Sequence, residues 1–149
     1  RDIKPENLLV GNDGYLLLVD FSVAKRCPSG ETFTLCGTPE YTAPEVYQMT
    51  GHTTTADWWS LGILMHELSV GVPPFQGEDT SEIMEGLQRY ERLYPDSIFL
   101  RDPEDELNRI TLTSEKMIKS LLCPTPYQRL GKSSHSNSDD LRQHVFFNG

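Results

Sequence analysis

Residues 55–70, Thr-Ala-Asp-Trp-Trp-Ser-Leu-Gly-Ile-Leu-Met-His-Glu-Leu-Ser-Val, constrain the fold of this chain more than any other stretch. Leu61, Leu64, Met65 and Leu68 recur at helical spacing, Asp57 lies in the first turn, and Gly71 followed by Pro73-Pro74 stops the helix. Trp58, Trp59 and Ile63 make the segment apolar on nearly every face, which marks a buried central helix. Such a helix needs partners. Asp79 with Glu82 three residues on reads as a capping box opening a second helix to about Tyr90. Thr113 can cap a third, in which Met117, Ile118, Leu121 and Leu122 form one stripe, and Asp139 can start a fourth through Val145. Between the second and third, the acidic stretch from Pro95 to Asn108 reads as a solvated loop.

The first third of the chain follows other rules. Leu8-Leu9-Val10 and Tyr15-Leu16-Leu17-Leu18-Val19 are short apolar runs joined by Gly11-Asn12-Asp13-Gly14, and Asp-Gly between such runs predicts a β-hairpin. Residues 20–53 then carry Pro28, Gly30, Gly37, Pro39 and Pro44 with little periodicity, which predicts a long loop of functional rather than structural character. A small hairpin followed by helices predicts an α+β fold, mostly helical. With no repeat and no clear boundary, residues 1–149 read as one domain. At this length a chain that folds alone buries roughly 70% of its unfolded surface, and 37% hydrophobic residues argue for a globular chain rather than a disordered one.

The net charge of −9 makes nucleic acid an unfavourable partner and basic substrates a suitable one. Cys27, Cys36 and Cys123 are odd in number and widely spaced, without a Cys-x-x-Cys pair, and the four histidines are scattered. Free thiols in a reducing compartment are expected, and with them a cytoplasmic or nuclear location. No segment approaches the roughly 20 apolar residues of a membrane span, and no signal peptide is visible.

Chemistry concentrates at the start. Arg1-Asp2-Ile3-Lys4-Pro5-Glu6-Asn7 puts an acid, a base and an amide in one short loop, and Asp20-Phe21 follows at the end of an apolar run. Phosphoryl transfer needs a base to orient a hydroxyl, a cation for the migrating phosphate and oxygen ligands for magnesium. Asp2, Lys4, Asn7 and Asp20 can supply all of these.

Taken in order, Arg1-Asp2-x-Lys4-Pro5-Glu6-Asn7, Asp20-Phe21 and Ala43-Pro44-Glu45 resemble the protein-kinase signature set. Lys4 two residues after Asp2 is the serine/threonine-kinase pattern, and Gly37-Thr38-Pro39-Glu40-Tyr41 agrees with it. Thr34-Leu35-Cys36-Gly37-Thr38-Pro39-Glu40-Tyr41 and Asp57-Trp58-Trp59-Ser60-Leu61-Gly62 are similar to the AGC group, which holds the cyclic-nucleotide-dependent kinases. The resemblance runs over nearly the whole chain and implies the mainly helical C-terminal lobe of the kinase fold, with the hairpin carrying the catalytic and magnesium loops.

By that resemblance, Asp2 would accept the substrate hydroxyl's proton. Lys4 would reach the γ-phosphate of ATP, and Thr38 would hydrogen-bond within the Asp2 and Lys4 cluster. Asn7 and Asp20 would hold Mg²⁺. Thr34 stands where the family carries an activating phosphothreonine, and Arg1 and Lys25 stand where cations pair with it. An upstream kinase or autophosphorylation would supply that phosphate. Glu6 and Glu67 would bind a substrate arginine two residues before the phosphoacceptor, and Glu40 would also bind substrate; for Glu67 an internal ion pair is the competing reading. Leu35, Pro39 and Thr42 would line the pocket for the next substrate residue, although relatives usually have an apolar residue in place of Thr42. Glu45 is expected to pair with Arg129, and Asp57 to brace the backbone of the catalytic loop. Cys36 reads as a packed thiol.

Ser22 replaces the glycine of the usual Asp-Phe-Gly, and a serine forced into left-handed backbone would cost about 1–2 kcal/mol. The Gly-rich loop, the strand lysine with its helix glutamate and the C-terminal hydrophobic tail have no counterpart in these residues. These residues are therefore expected to lack the N-terminal lobe, and the 149-residue piece alone to show no kinase activity and weak or no ATP binding. Two other readings stay open on sequence alone: a pseudokinase acting as scaffold or regulatory module, and a self-sufficient binding domain.

Overall fold

A computed structural model of the chain describes residues 1–28, 30–94, 110–132 and 139–147. The acidic stretch expected as a loop over 95–108 lies outside the described residues. Two short antiparallel strands, β1 (Leu8–Val10) and β2 (Leu16–Leu18), pair in the register Leu8 to Leu18, Leu9 to Leu17 and Val10 to Leu16. Tyr15 and Val19 thus fall just outside the ladder. The turn between them is closed by the Gly11 N–H on the Tyr15 carbonyl (2.8 Å) and the Gly14 N–H on the Gly11 carbonyl (2.9 Å). Gly14 has φ +83°, the left-handed backbone that a residue without Cβ adopts at least cost.

The long loop is more ordered than its composition predicts. A single antiparallel bridge joins Thr32 to His52, a 3₁₀ turn spans Pro39–Tyr41, and α1 (Pro44–Tyr47) follows Ala43. Pro39 and Pro44 open these turns rather than break them, because proline at the first helical position gives up an N–H that has no partner anyway.

The predicted central helix is α2 (Thr55–Val70), ended by Gly71 at φ +91°. Trp59 and Ile63 are fully buried and Leu64 nearly so, whereas Leu68 is exposed, so the apolar character is not matched by burial at its C-terminal end. The second helix, α3 (Thr80–Leu93), runs three residues beyond Tyr90. Asp79 caps it by accepting from the N–H groups of Ser81 and Glu82, but the Glu82 carboxylate reaches back one residue further than a capping box requires, to the Glu78 N–H at 2.8 Å. The third, α4 (Leu112–Leu121), is capped by Thr111 and not by Thr113, since only the Thr111 hydroxyl stands in line with the Ser114 N–H. The fourth segment splits: α5 (Asp139–Arg142) is followed by a separate 3₁₀ turn, Val145–Phe147, because the His144 ring nitrogen accepts the Phe146 N–H and starts that turn anew.

The core lies between α2, α3 and α4. Trp59 stacks on Phe75 with ring centroids 5.9 Å apart, Tyr90 packs edge-on against Trp59, and Ile118, Leu121 and Leu122 close the other side. Gly62 lets α4 approach: a Cβ built there would lie 2.8 Å from Leu122 Cδ2 and 2.9 Å from Leu121 Cβ. The buried Ser60 hydroxyl donates to the Tyr41 carbonyl at 2.8 Å, which ties the loop carrying Thr38 to this rigid helix. No described helix is long and apolar enough to cross a membrane.

Candidate active site

A 3₁₀ turn at Pro5–Asn7 follows Lys4 and leads directly into β1, and the Val19 N–H donates to the Asn7 carbonyl at 2.9 Å. The turn and the hairpin therefore bring Asn7 beside the residue before Asp20, although 13 positions separate them in sequence. Across from this edge, the loop at Thr38 folds over Asp2. Asp2 Oδ1 accepts from the Thr38 N–H (2.8 Å) and hydroxyl (2.7 Å); Lys4 Nζ donates to the same hydroxyl at 2.7 Å and lies 3.1 Å from Asp2 Oδ2. The Asn7 amide donates to the Asp2 carbonyl at 2.8 Å and to Oδ2 at 3.2 Å. Four of the residues singled out for catalysis thus meet in one hydrogen-bonded group. Burial pushes the Asp2 carboxyl up, but the bonds from Thr38 and Lys4 outweigh it and hold the group below the ordinary aspartate value, hence ionised at neutral pH.

Asp20 is exposed, and its Oδ1 accepts the Ser22 N–H at 3.0 Å. The Ser22 bonds lower its pKa, so it too is a carboxylate. Backbone strain expected at Ser22 falls instead on Asp20, which has φ +57°; Ser22 is not among the described residues with positive φ. Aspartate tolerates that conformation because its side chain bonds the backbone locally, here to residue 22. Among the described residues no group of three His, Cys, Asp or Glu could hold a metal. Mg²⁺ shared with phosphates needs only one or two protein oxygens, and the donor set fits: Asn7 uses its NH₂ on Asp2, which leaves the amide oxygen, and Asp20 keeps Oδ2.

The acidic residues gather at a second place. Glu6, Glu40 and Glu67 line one cavity of about 380 Å³ together with Thr38 and Tyr41. The Tyr41 hydroxyl donates to Glu67 Oε2 in a short hydrogen bond, and burial together with that carboxylate pushes the phenol far above its usual range. The partner of Glu67 is therefore a neutral donor, not the internal cation of the competing reading. Thr42 is buried with its hydroxyl on the Thr38 carbonyl (2.8 Å), so it braces the loop and does not line an open pocket. Leu35 is exposed, and the Pro39 carbonyl accepts from Tyr47 Oη at 2.7 Å.

Thr34 is exposed, 3.3 Å from the Thr32 hydroxyl, which in turn accepts from Lys25 Nζ at 2.9 Å. Arg1 Nε donates to the Val23 carbonyl at 2.7 Å. Glu45 and Arg129 form a bidentate buried pair, 2.7 and 3.0 Å, and Arg129 Nη1 also donates to the Thr55 carbonyl. Asp57 Oδ1 lies 3.3 Å from the Arg1 backbone nitrogen. Cys36 is half-buried. Sequence reasoning passed over Tyr41, Thr32 and His52. Their contacts span 7 to 26 positions or run through a single backbone bridge, and no short motif signals that.

A carboxylate, a lysine joined to it through a threonine and two hard oxygen donors at a hairpin base are groups of the kind that phosphoryl transfer calls for, set on a helical lobe. The protein kinase domain model matches residues 1–147, and the chain belongs to the protein kinase family. It is 43% identical over 154 residues to cGMP-dependent protein kinase 2 of Mus musculus and 42% identical over 150 to cGMP-dependent protein kinase egl-4 of Caenorhabditis elegans. A cAMP-dependent protein kinase, catalytic subunit-like, of Caenorhabditis elegans is 37% identical over 147. These matches cover 99–100% of this chain but only 18% of the two cGMP-dependent kinases and 33% of the third protein. The AGC resemblance drawn from the motifs and these relatives agree.

Proposed function

We propose that these residues serve a serine/threonine kinase that transfers the γ-phosphoryl group of Mg-ATP to hydroxyls of basic, arginine-containing proteins. The observation that carries this is the Asp2–Lys4–Thr38–Asn7 group. Asp2 is ionised and takes the proton as the substrate oxygen bonds to the γ-phosphorus and the bond to ADP breaks. Lys4, fixed through Thr38, offsets charge on the transferring group. Bound magnesium, held by Asn7 and Asp20, would neutralise the phosphates. The carboxylates of Glu6, Glu40 and Glu67 suit a guanidinium. The scaffold reading loses ground, because Ser22 supports the Asp20 carboxylate and does not displace it.

The test is transfer of labelled γ-phosphate by the full-length protein to peptides with and without arginine two residues before the serine. Asp2→Asn should lower turnover by about 10²–10⁴-fold. Glu67→Ala should remove most of the preference for the arginine peptide while leaving turnover on the other. Full turnover by Asp2→Asn would sink the catalytic reading, and an intact arginine preference would sink the substrate reading.

A further inference from the structure

Side-chain hydroxyls hold the 3₁₀ turn at Pro39–Tyr41 by its carbonyls. Thr42 Oγ1 donates to the Thr38 carbonyl at 2.8 Å, Tyr47 Oη to that of Pro39 at 2.7 Å, and the buried Ser60 hydroxyl to that of Tyr41 at 2.8 Å. Tyr47 and Ser60 stand on α1 and α2, so their bonds fasten the turn to helices. Thr42 differs. It is only 7% exposed, and its bond runs back four residues to Thr38 itself, the residue that joins Asp2 to Lys4.

Thr38 is under competing demands. It stands at the N-cap of the turn, where a threonine hydroxyl ordinarily accepts from an N–H two or three residues on, yet it makes no such cap. Its hydroxyl donates instead to Asp2 Oδ1 and accepts from Lys4 Nζ. A side chain turned away from its local partners stays there when the backbone around it is held. The Thr38 carbonyl accepts the Tyr41 N–H at 3.0 Å as well as the Thr42 hydroxyl, so that N–H is not left for the Thr38 side chain and the peptide plane after Thr38 is fixed twice. Before Thr38, Gly37 stands at φ +103°, and a Cβ built on it would lie 2.8 Å from the Arg1 carbonyl oxygen and 3.3 Å from Thr42 Oγ1. One hydroxyl thus bears on the backbone on both sides of Thr38.

We infer that Thr42 is a positioning residue for phosphoryl transfer: its hydroxyl holds the backbone around Thr38 and so keeps the Thr38 side chain on Asp2 and Lys4 rather than on its own turn. The inference rests on the reading of Asp2 as the base. It has a consequence with a definite sign. Burial raises the Asp2 carboxyl, and the bonds from Thr38 and Lys4 more than offset this. When the Thr38 bonds loosen, the carboxyl takes up its proton at higher pH. Asp2 is also faced by Lys4 of its own loop and by Asp20 beyond the hairpin, and a change at Thr42 alters the charge of neither.

The full-length protein tests this with Thr42→Val, which keeps the shape and removes the hydroxyl while the Tyr41 N–H still serves the Thr38 carbonyl. In transfer of labelled γ-phosphate, kcat should fall about three- to tenfold, the range of one neutral hydrogen bond. KM for peptide and for ATP should stay nearly the same, and the acid limb of the kcat profile should move to higher pH. Thr42→Ser should restore both kcat and the limb. Ser60→Ala is the control, since it takes a hydroxyl from the Tyr41 carbonyl of the same turn without reaching Thr38. It should lower the unfolding temperature and leave the acid limb in place. With Asp2→Asn inactive, three results overturn the inference and spare the catalytic reading: a kcat and acid limb unmoved by Thr42→Val, the same limb shift in Ser60→Ala, or a change confined to KM for the peptide. If Asp2→Asn keeps full turnover, the reading of Asp2 fails and the inference falls with it.

Discussion

The Thr38 hydroxyl holds both halves of the proposed chemistry in register, donating to Asp2 at 2.7 Å and accepting from Lys4 at 2.7 Å. Valine has the same shape without the hydroxyl, and the Thr38 N–H remains on Asp2, so Thr38→Val isolates that one oxygen. Hydrogen bonds to charged groups contribute about 1.5–3 kcal/mol, which corresponds to roughly a tenfold loss of turnover or more. The pH dependence has a definite sign. Burial raises the Asp2 carboxyl, and the bonds from Thr38 and Lys4 bring it below the ordinary aspartate value. Removing one of those bonds moves the pKa up, so the acid limb of the kcat profile should shift to higher pH in Thr38→Val and return in Thr38→Ser. A profile unmoved by the valine would show that the hydroxyl only shapes the loop. The same depressed carboxyl adds a little stability above pH ~4, and that contribution fades as pH falls through the lowered folded value.

At the scale of elements, one ion pair decides how α1 meets the end of α4. Arg129 is fully buried, reaches Glu45 through both terminal nitrogens, and donates further to the carbonyls of Cys123 and Thr55. Its guanidinium also lies 5.1 Å from the centre of the Trp59 ring. Arg129→Met would strand the Glu45 carboxylate among apolar neighbours, and breaking such a pair from one side costs about 3–5 kcal/mol. Urea unfolding should show that loss, and adding Glu45→Leu should restore part of it; a single-variant loss below 1 kcal/mol would contradict the account. Glu45 lay inside a readable motif, whereas Arg129 was assignable to it only through the family resemblance, 84 positions away. That contrast holds throughout. The helix at 55–70 and the hairpin were legible because periodicity and Asp-Gly chemistry are local. The cap at Thr111, the extra turns at Pro39 and Pro44 and the bridge of Thr32 to His52 were not, because each depends on which neighbour a polar group meets in three dimensions. In the site, Asp2, Lys4 and Asn7 share one heptapeptide, while the role of Tyr41 on Glu67 is set by packing alone.

Across the whole molecule, the residues proposed for catalysis sit at the junction of two unlike regions. The α2, α3 and α4 side is packed around Trp59, Ile63, Ile118 and Leu122, all at zero exposure. On the hairpin side Leu9, Val10, Tyr15, Leu16, Leu17, Leu18 and Phe21 are each more than 40% exposed. A two-stranded hairpin is marginal in water by itself, and a contiguous exposed apolar patch of this kind drives association. Asn7 and Asp20 are positioned by that ladder, so their geometry is only as firm as whatever covers it. The 149 residues produced alone should therefore bind a hydrophobic dye and self-associate with rising concentration in sedimentation. Leu9 and Leu17 are directly opposed at 52% and 53% exposure, so Leu9→Lys with Leu17→Glu replaces an apolar cross-strand pair by an ion pair. That variant should lose part of the dye signal and weaken the association, with the remainder owed to Val10, Leu16 and Leu18 on the opposite face of the ladder. Its helical unfolding transition should stay unchanged, because neither substituted residue belongs to the buried clusters around α2. Hydrogen exchange supplies the second arm: amides of residues 57–70 should be strongly protected while those of 8–18 exchange nearly freely. A monomer that binds no dye, or a hairpin protected as well as α2, would mean that the ladder is stable on its own and that the site needs no cover to keep its shape.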